Sequence, residues 1–125
     1  MAGLARLGFD DVQPEYLNAG TWRKILLSED VIPGARSCVG YSNFSPGTVT
    51  SPIVHETEEF AFVVTGTGEM RGDDEMVPFA AYDTLYIPAG SWHSIANTGD
   101  SDVVMVFGFP SSRYPATRGR ASDTA

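Results

Sequence analysis

The chain has 125 residues, a hydrophobic fraction of 42% and a formal net charge of -8. This length is sufficient for one domain with a buried core and is too short for two. The 16 acidic residues outnumber the 8 basic residues, which argues against nucleic acid as a partner because phosphate binding requires Lys and Arg.

The N-terminal residues and the cysteine content predict the cellular compartment. Residues 1–10 lack the basic end and the apolar run of a secretory signal, and no apolar stretch is long enough to span a bilayer. Cys38 is the only cysteine, so the chain cannot form an internal disulfide. We therefore expect a cytoplasmic protein without a membrane partner.

In chain order, the sequence predicts an irregular arm followed by short strands. Residues 1–20 show little periodicity and are predicted to form an arm with a short helix or an edge strand around residues 11–17. Gly66, Thr67 and Gly68 are predicted to form a hairpin turn. Alternating patterns bounded by turn residues predict strands at residues 21–27, 37–44, 49–55, 59–64, 69–72, 77–81, 84–87 and 103–109.

The number and spacing of these strands indicate the fold class. Short strands that recur with turn residues, without a long helical pattern, are typical of an all-β sandwich or barrel. The last residues, 111–125, are rich in Ser, Thr, Ala and Arg and are predicted to be a flexible C-terminal tail. The predicted organisation is therefore an N-terminal arm at 1–20, one β domain at 21–110 and the tail.

The two histidines of the chain suggest a metal site. His55 lies in the stretch 47–66 and His93 in the stretch 88–97, and Glu59 follows His55 by four positions. Two imidazoles and one carboxylate suit a divalent metal such as iron, manganese, nickel, zinc or cobalt. Three protein ligands leave coordination positions open, as a metal that binds a substrate requires.

The same two stretches resemble the motifs of the cupin superfamily, over residues 36–109. The first motif, a glycine, His-x-His, a glutamate and a glycine, appears as Gly47, Ile53-Val54-His55, Glu59 and Gly66. The second motif, a glycine, Pro-x-Gly, a histidine and an asparagine, appears as Tyr82, Pro88-Ala89-Gly90, His93 and Asn97. Two positions differ from the pattern, because Ile53 replaces the first histidine and Tyr82 replaces the opening glycine of the second motif.

The resemblance implies a fold, a ligand set and an assembly. The fold is a double-stranded β-helix, a jelly-roll barrel, across residues 21–110. The metal ligands are His55, Glu59 and His93, and the first histidine of the four ligands usual in the family is missing. Family members commonly pair through the outer face of one sheet or by swapping an N-terminal strand. A homodimer is therefore expected, with the exposed side of residues 22–27 as a candidate surface.

Strand alternation identifies the residues of a substrate pocket. Ile53 and His55 share one face of their strand, and Glu59, Ala61 and Val63 share one face of the next. If His55 faces the metal, Ile53 lies beside it and makes one side of the pocket apolar. The pocket is predicted to be lined by Ile53, Ala61, Val63 and Phe107.

The candidate catalytic residues are Glu59 and Tyr41. Tyr41 could line the pocket and donate a hydrogen bond to a substrate oxyanion, although tyrosines in such patterns more often serve packing or a dimer surface. Glu56 and Glu58 are neighbours of the site in sequence and could act as an acid or a base. Such a pair of glutamates is more often part of a solvated loop.

These residues favour a metal-dependent enzyme that acts on a small organic molecule. The leading hypothesis is a non-haem Fe(II) oxygenase or dioxygenase, by analogy with other small cupins. The first alternative is a redox-neutral lyase, isomerase, cyclase or decarboxylase, in which zinc, nickel, manganese, cobalt or iron acts as a Lewis acid. The second alternative is a non-catalytic cupin that holds a small ligand in its apolar barrel without converting it.

Overall fold

The computed structural model describes residues 3–18 and 20–120. Apart from a single-turn 3-10 helix at Phe9–Asp11, the regular elements of this part of the chain are β-strands. None of the described residues forms a helix long and apolar enough to cross a bilayer. The strands are β1 Glu15–Asn18, β2 Thr21–Leu27, β3 Cys38–Phe44, β4 Ile53–His55, β5 Glu59–Thr65, β6 Thr67–Arg71, β7 Met76–Ala80, β8 Thr84–Ile87, β9 Ser94–Asn97, β10 Val103–Phe109 and β11 Thr117–Gly119.

Two facing sheets form the walls of the molecule. One wall has six strands in the order β1-β2-β3-β10-β5-β8, and the other contains β7-β6-β9. β4 extends the second wall, because Ile53 forms a bridge with His93 next to β9, and β4 pairs in turn with β11. After β3 the chain passes repeatedly from one wall to the other. The predicted all-β, double-stranded β-helix is confirmed.

The core lies between the walls, and the alternation of the strands decides which residues occupy it. On β3, every second residue from Cys38 to Phe44 is buried. Gly40 of β3 pairs with Phe107 of β10, and the Phe107 ring lies so close that it would overlap a Cβ at position 40. The core cluster comprises Cys38, Phe44, Ala61, Val63, Phe79, Leu85, Ile95, Val103, Met105, Phe107 and Phe109.

Most predicted strands coincide with observed ones to within a few residues, and two stretches differ. Of residues 49–55 only Ile53–His55 form a strand, although Thr50 donates its N–H to the carbonyl of Ile95 at 2.9 Å. β9, Ser94–Asn97, was not predicted. All four of its residues are buried, so this strand lacks the alternation on which the prediction of strands depends.

The predicted hairpin at Gly66, Thr67 and Gly68 is wrong. β5 pairs with β8 and β10, whereas β6 pairs with β7 and β9, so the chain crosses from one wall to the other at Gly66. Gly66 has a φ of 94°, and a Cβ at this position would lie 2.6 Å from the carbonyl oxygen of Asp102. The crossing therefore requires a glycine, as a tight hairpin also would.

The N-terminal arm is joined to the six-stranded sheet. β1 pairs antiparallel with β2, and the 3-10 helix places Phe9 on the outer face of that sheet. There the Lys24 ammonium lies 3.8 Å from the centroid of the Phe9 ring and donates to the Phe9 carbonyl at 3.0 Å. The outer face of β2, on which dimer pairing is expected, is thus partly covered by the chain's own arm. The homodimer stays a prediction.

The predicted flexible tail at residues 111–125 is wrong as far as residue 120. Thr117–Gly119 form β11, which pairs with His55, Val54 and Ile53 of β4. Tyr114 packs against the buried core. Residues 121–125 lie outside the described residues. The barrel therefore continues past residue 110, and its last strand supports one of the predicted metal ligands.

Candidate metal centre

His55, Glu59 and His93 meet on the inner side of the barrel. His55 ends β4, Glu59 begins β5, and His93 directly precedes β9. Glu59 Oε1 lies 3.2 Å from His55 Nε2 and 3.4 Å from His93 Nε2. The three ligand atoms lie within 4.8 Å of one another. His55 and His93 are 3% and 7% exposed, so strands from both walls hold a buried cluster of metal-binding groups.

Hydrogen bonds on the far side of each imidazole assign its tautomer. His93 Nδ1 lies 2.9 Å from the carbonyl oxygen of Ser91, which can only accept. His55 Nδ1 lies 2.7 Å from the hydroxyl of Thr117, which donates its own proton to the Pro115 carbonyl at 2.8 Å. Both Nδ1 atoms therefore carry the proton. In the neutral form of each ring, which is the form that binds a metal, Nε2 is then the free nitrogen, and it is the atom that faces Glu59.

The electrostatics of this arrangement fit a cation. Burial raises the pKa of Glu59, and the hydrogen bonds and charges of His55 and His93 lower it further than burial raises it, so the carboxyl pKa lies below its usual value. The carboxylate of Glu59 and the Nε2 atoms of both rings are thus directed at one place, where a divalent metal would take the place of the Nε2 protons and be held by all three groups. The chemistry of the donor set therefore fits a metal.

Ile53 occupies the position of the missing histidine. Its N–H donates to the carbonyl of His93 at 2.9 Å, and the N–H of His93 donates to the carbonyl of Ile53 at 2.9 Å. Residues paired in this way project their side chains from the same face of a sheet. The Ile53 side chain accordingly lines the same cavity as the His93 imidazole. The metal cluster has an apolar neighbour where the family motif has a fourth ligand.

The cluster forms part of the wall of a cavity of about 430 Å³ that opens to the surface. This volume is within the range of small-molecule sites. Of the predicted pocket residues, Ile53, Ala61 and Phe107 line the cavity, and Val63 does not. Val63 faces inward as predicted, but it is completely buried in the core. Further apolar lining comes from Phe44, Leu85, Ile87, Ile95 and Met105.

Tyr41, the second candidate catalytic residue, lies outside this cavity. Alternation along β3 directs Ser42 into the cavity and Tyr41 to the opposite face of the sheet. The Tyr41 ring packs there against Phe9, with centroids 4.9 Å apart, and against Trp22 at 5.7 Å. The prediction of a catalytic role for Tyr41 is therefore not supported by its position. The contacts of Tyr41 agree with the packing role that the sequence analysis gave as the alternative.

The sequence analysis did not identify Tyr114 as a residue of the site. The Tyr114 ring lines the cavity and contacts the rings of His55 and Phe109, at 5.5 Å and 5.2 Å between centroids. Burial raises the pKa of Tyr114, and the nearby charge of Arg23 lowers it in part, so the phenol keeps its proton at neutral pH. A usable signal was present, since Tyr114 is the only aromatic residue after Phe109.

Comparisons with known proteins agree with the fold and the motif. The family model of the cupin domain matches residues 40–109. Protein SchB of Streptomyces halstedii is 32% identical over 102 residues, which cover 81% of this chain and 73% of SchB. Polyketide synthase CurC of Streptomyces cyaneus is 34% identical over 99 residues, which cover 78% of this chain and 63% of CurC.

A solved structure extends the agreement to nearly the whole chain. The polyketide cyclase RemF from Streptomyces resistomycificus superposes with a TM-score of 0.78 at 21% identity. The matched region covers 97% of this chain and 89% of that chain. With the motif residues and the double-stranded β-helix in place, these matches show that the chain belongs to the cupin superfamily.

Proposed function

We propose that this cupin is a metal-dependent enzyme that catalyses a redox-neutral ring closure of a small substrate with several ketone groups. The observation that carries the proposal is the position of the His55, Glu59 and His93 cluster on the wall of an apolar cavity of about 430 Å³. A cavity of this kind suits a folded carbon chain better than a highly charged substrate. The 34% identity to a polyketide synthase protein supports the same substrate class.

The three metal ligands place the polar group of the reaction on the cavity wall. When bound, the metal would supply a Lewis acid that polarises a substrate carbonyl. His55, Glu59 and His93 would hold it, with the protonated Nδ1 atoms of the imidazoles fixed by Thr117 and Ser91. Glu59 thus contributes its charge as a ligand. Because both rings are anchored on their far sides, they need little rearrangement when the cluster binds a cation.

The apolar wall of the cavity decides how the substrate is folded. Phe107, Met105 and Leu85 line one side of the cavity and Ile53 and Ile95 the other. A ketone chain that fills this space is compacted by burial of its carbon atoms, which brings distant carbons together. The same side chains limit access of water to the reacting carbon atoms. Chain folding and carbonyl polarisation are two requirements of an intramolecular aldol reaction. The third is loss of a proton from the attacking carbon, which polarisation of the adjacent ketone makes easier, and this proton leaves with the oxygen of the attacked ketone in the released water.

A short triketone provides a direct test. In heptane-2,4,6-trione, ring closure forms a bond between C1 and C6 and releases one water, which gives 5-methylresorcinol without net oxidation. The protein is loaded with manganese, iron, cobalt, nickel or zinc, and product is measured by mass spectrometry with simultaneous recording of dissolved dioxygen. We expect product at the mass of substrate minus water, without dioxygen consumption. Glu59→Gln should abolish this activity, and Glu58→Gln should preserve it, because Glu58 lies on the exposed link before β5.

The Fe(II) oxygenase, which the sequence analysis favoured by analogy with other small cupins, is the second candidate function. The two-histidine, one-carboxylate set that supports it is the one used by non-haem iron oxygenases. If only the iron form consumes dioxygen stoichiometrically and gives products that contain added oxygen, the protein is an oxygenase and the ring-closure proposal is wrong. Saturable binding of aromatic ligands without turnover in any metal form would instead favour the ligand-binding cupin.

A further inference from the structure

The cavity contains a second polar group that does not belong to the metal cluster. Thr21 and Arg23 are two positions apart on β2, so both face the inner side of the six-stranded sheet. Ser42 is the partner of Arg23 across the β2–β3 pairing. All three residues line the cavity that the metal ligands line. These three residues lie on β2 and β3, whereas the metal ligands lie on β4, on β5 and directly before β9.

Two polar atoms of this group are buried without a hydrogen-bond partner among the described residues. They are the Nε of Arg23 and the hydroxyl oxygen of Thr21. A buried donor without an acceptor costs free energy, so native proteins leave few such groups. Arg23 and Thr21 are moreover adjacent on one face of one strand, and this face is the cavity wall. Because Thr21, Arg23 and Ser42 also line the cavity, an acidic ligand there would lie beside a cation and two hydroxyl groups.

The guanidinium of Arg23 is held in place by its other contacts. It lies over the Tyr114 ring, with Cζ 4.2 Å from the ring centroid. One terminal nitrogen lies 3.3 Å from a carboxylate oxygen of Glu15, whose side chain is half exposed. A guanidinium has five N–H donors in a rigid planar arrangement, and the contact with Glu15 uses one of them. Tyr114 and Glu15 thus fix the cation while donors remain for a second carboxylate.

We propose that Arg23, together with the hydroxyls of Thr21 and Ser42, binds the carboxylate of an acidic substrate inside the cavity. The inference rests on the proposed function for the reaction at the metal. It adds that the substrate is a free carboxylic acid. The carboxylate is held at β2, and the carbonyl groups of the substrate extend across the apolar part of the cavity toward His55, Glu59 and His93. A chain esterified or thioesterified at this end lacks the charge that Arg23 recognises.

A matched pair of ligands tests this assignment by affinity alone. 2-Naphthoate carries the carboxylate, and methyl 2-naphthyl ketone is a neutral compound of similar shape. Binding to the metal-loaded protein is measured by calorimetry for both compounds. We expect the acid to bind more tightly than the ketone, and Arg23→Gln to weaken the acid roughly 10- to 100-fold, as loss of a charge-assisted hydrogen bond predicts. The ketone should bind Arg23→Gln within about twofold of the wild-type affinity.

Three control variants distinguish a carboxylate site at Arg23 from a carboxylate bound at the metal and from a general loss of folding. Arg36→Gln removes an exposed arginine outside the cavity and should leave both affinities unchanged. Arg23→Lys keeps the charge and should keep part of the preference for the acid, with circular dichroism to verify folding. His93→Ala removes a metal ligand and should keep the preference for the acid. An equal loss of both ligands in Arg23→Gln would overturn the inference, as would loss of the preference in His93→Ala, which would place the carboxylate at the metal.

The outcome of this test is independent of the ring-closure assay. Preference for the acid without turnover of any triketone would reject the proposed ring closure and keep the carboxylate site. Turnover of triketones without a preference for the acid would keep the ring closure and reject the carboxylate site.

Discussion

The two cupin motifs of this chain each depart from the family pattern at one position, and the two departures act on different properties. In the first motif, Ile53 replaces a histidine and faces the cavity next to His93. In the second motif, Tyr82 replaces a glycine, and its side chain is 77% exposed on the outside of the barrel. The first departure changes the chemistry of the site. The second departure changes the conformational energy of the backbone at one turn and leaves the site intact.

The difference follows from what each motif position does. A ligand position is defined by a side-chain atom, so an isoleucine there removes a donor and leaves the strand as it was. The glycine position is defined by the backbone, and Tyr82 adopts a φ of 75°, the left-handed region that disfavours residues with a Cβ. Tyr82 still donates its N–H to the carbonyl of Val63 at 2.7 Å. The turn is thus retained in spite of the substitution.

The largest effect is expected from Glu59→Gln, which removes the charge of the metal cluster. Because imidazoles bind a metal as neutral ligands, Glu59 is the only negative group in the His55, Glu59 and His93 cluster, and we expect metal affinity to fall by more than about 100-fold, beyond the effect typical of outer hydrogen-bond partners. Metal content and calorimetric titration measure this loss. Glu58→Gln is the matched control and should keep wild-type affinity. Equal affinities of the two variants would contradict the assignment of Glu59 as a ligand.

The next effect in size concerns Thr117, which the sequence analysis placed in the flexible tail. Its hydroxyl accepts the Nδ1 proton of His55 at 2.7 Å. Thr117→Val keeps the shape of the side chain and removes the acceptor, so we expect metal affinity to fall roughly 10- to 100-fold. Thr117→Ser keeps the hydroxyl and should restore most of the affinity. If Thr117→Val and Thr117→Ser bind metal equally well, the hydroxyl does not orient His55.

A smaller effect, of opposite sign, is expected when the first departure is reversed. Ile53→His places an imidazole beside His93 on the same face of the sheet, where it can become the fourth ligand. We expect metal affinity to rise by about tenfold or more, and the activity to fall because one open coordination position is lost. Ile53→Val, which keeps an apolar residue, is the control. An unchanged affinity in Ile53→His would mean that side chains at this position do not reach the metal.

The parts of the fold that the sequence predicted are those with a regular alternation. β3 and β5 bury every second residue along most of their length, and both were predicted nearly at their observed bounds. β9 is buried throughout and β11 is exposed throughout, so neither has a period of two. Strands of these kinds are defined by their neighbours in space. Only pairing with β6 and with β4 identifies them as strands.

The candidate site, like the fold, was predictable where the sequence has a regular pattern. The three ligands have fixed spacing in two motifs, and the structure brings them together. The sequence analysis named Tyr41 and missed Tyr114, because the face of a strand and the path of the C-terminal residues decide which phenol reaches the cavity. Arg23 was recognised only as part of a strand. Its place on the cavity wall depends on the pairing of β2 with β3, which no local pattern encodes.

The smallest effect is expected from reversal of the second departure. Tyr82→Gly removes the conformational cost of a Cβ at positive φ, and we expect the free energy of unfolding to rise by about 0.5 to 1 kcal/mol, measured by urea denaturation. The ring contact with Phe62, at 6.2 Å between centroids, is lost in the same variant. Tyr82→Ala loses this contact too but keeps the Cβ, so the difference between the two variants isolates the backbone cost. Because Tyr82 lies outside the cavity, metal affinity should be the same in both variants and in the wild type. A glycine variant no more stable than the alanine variant would show that the turn accommodates Tyr82 without strain.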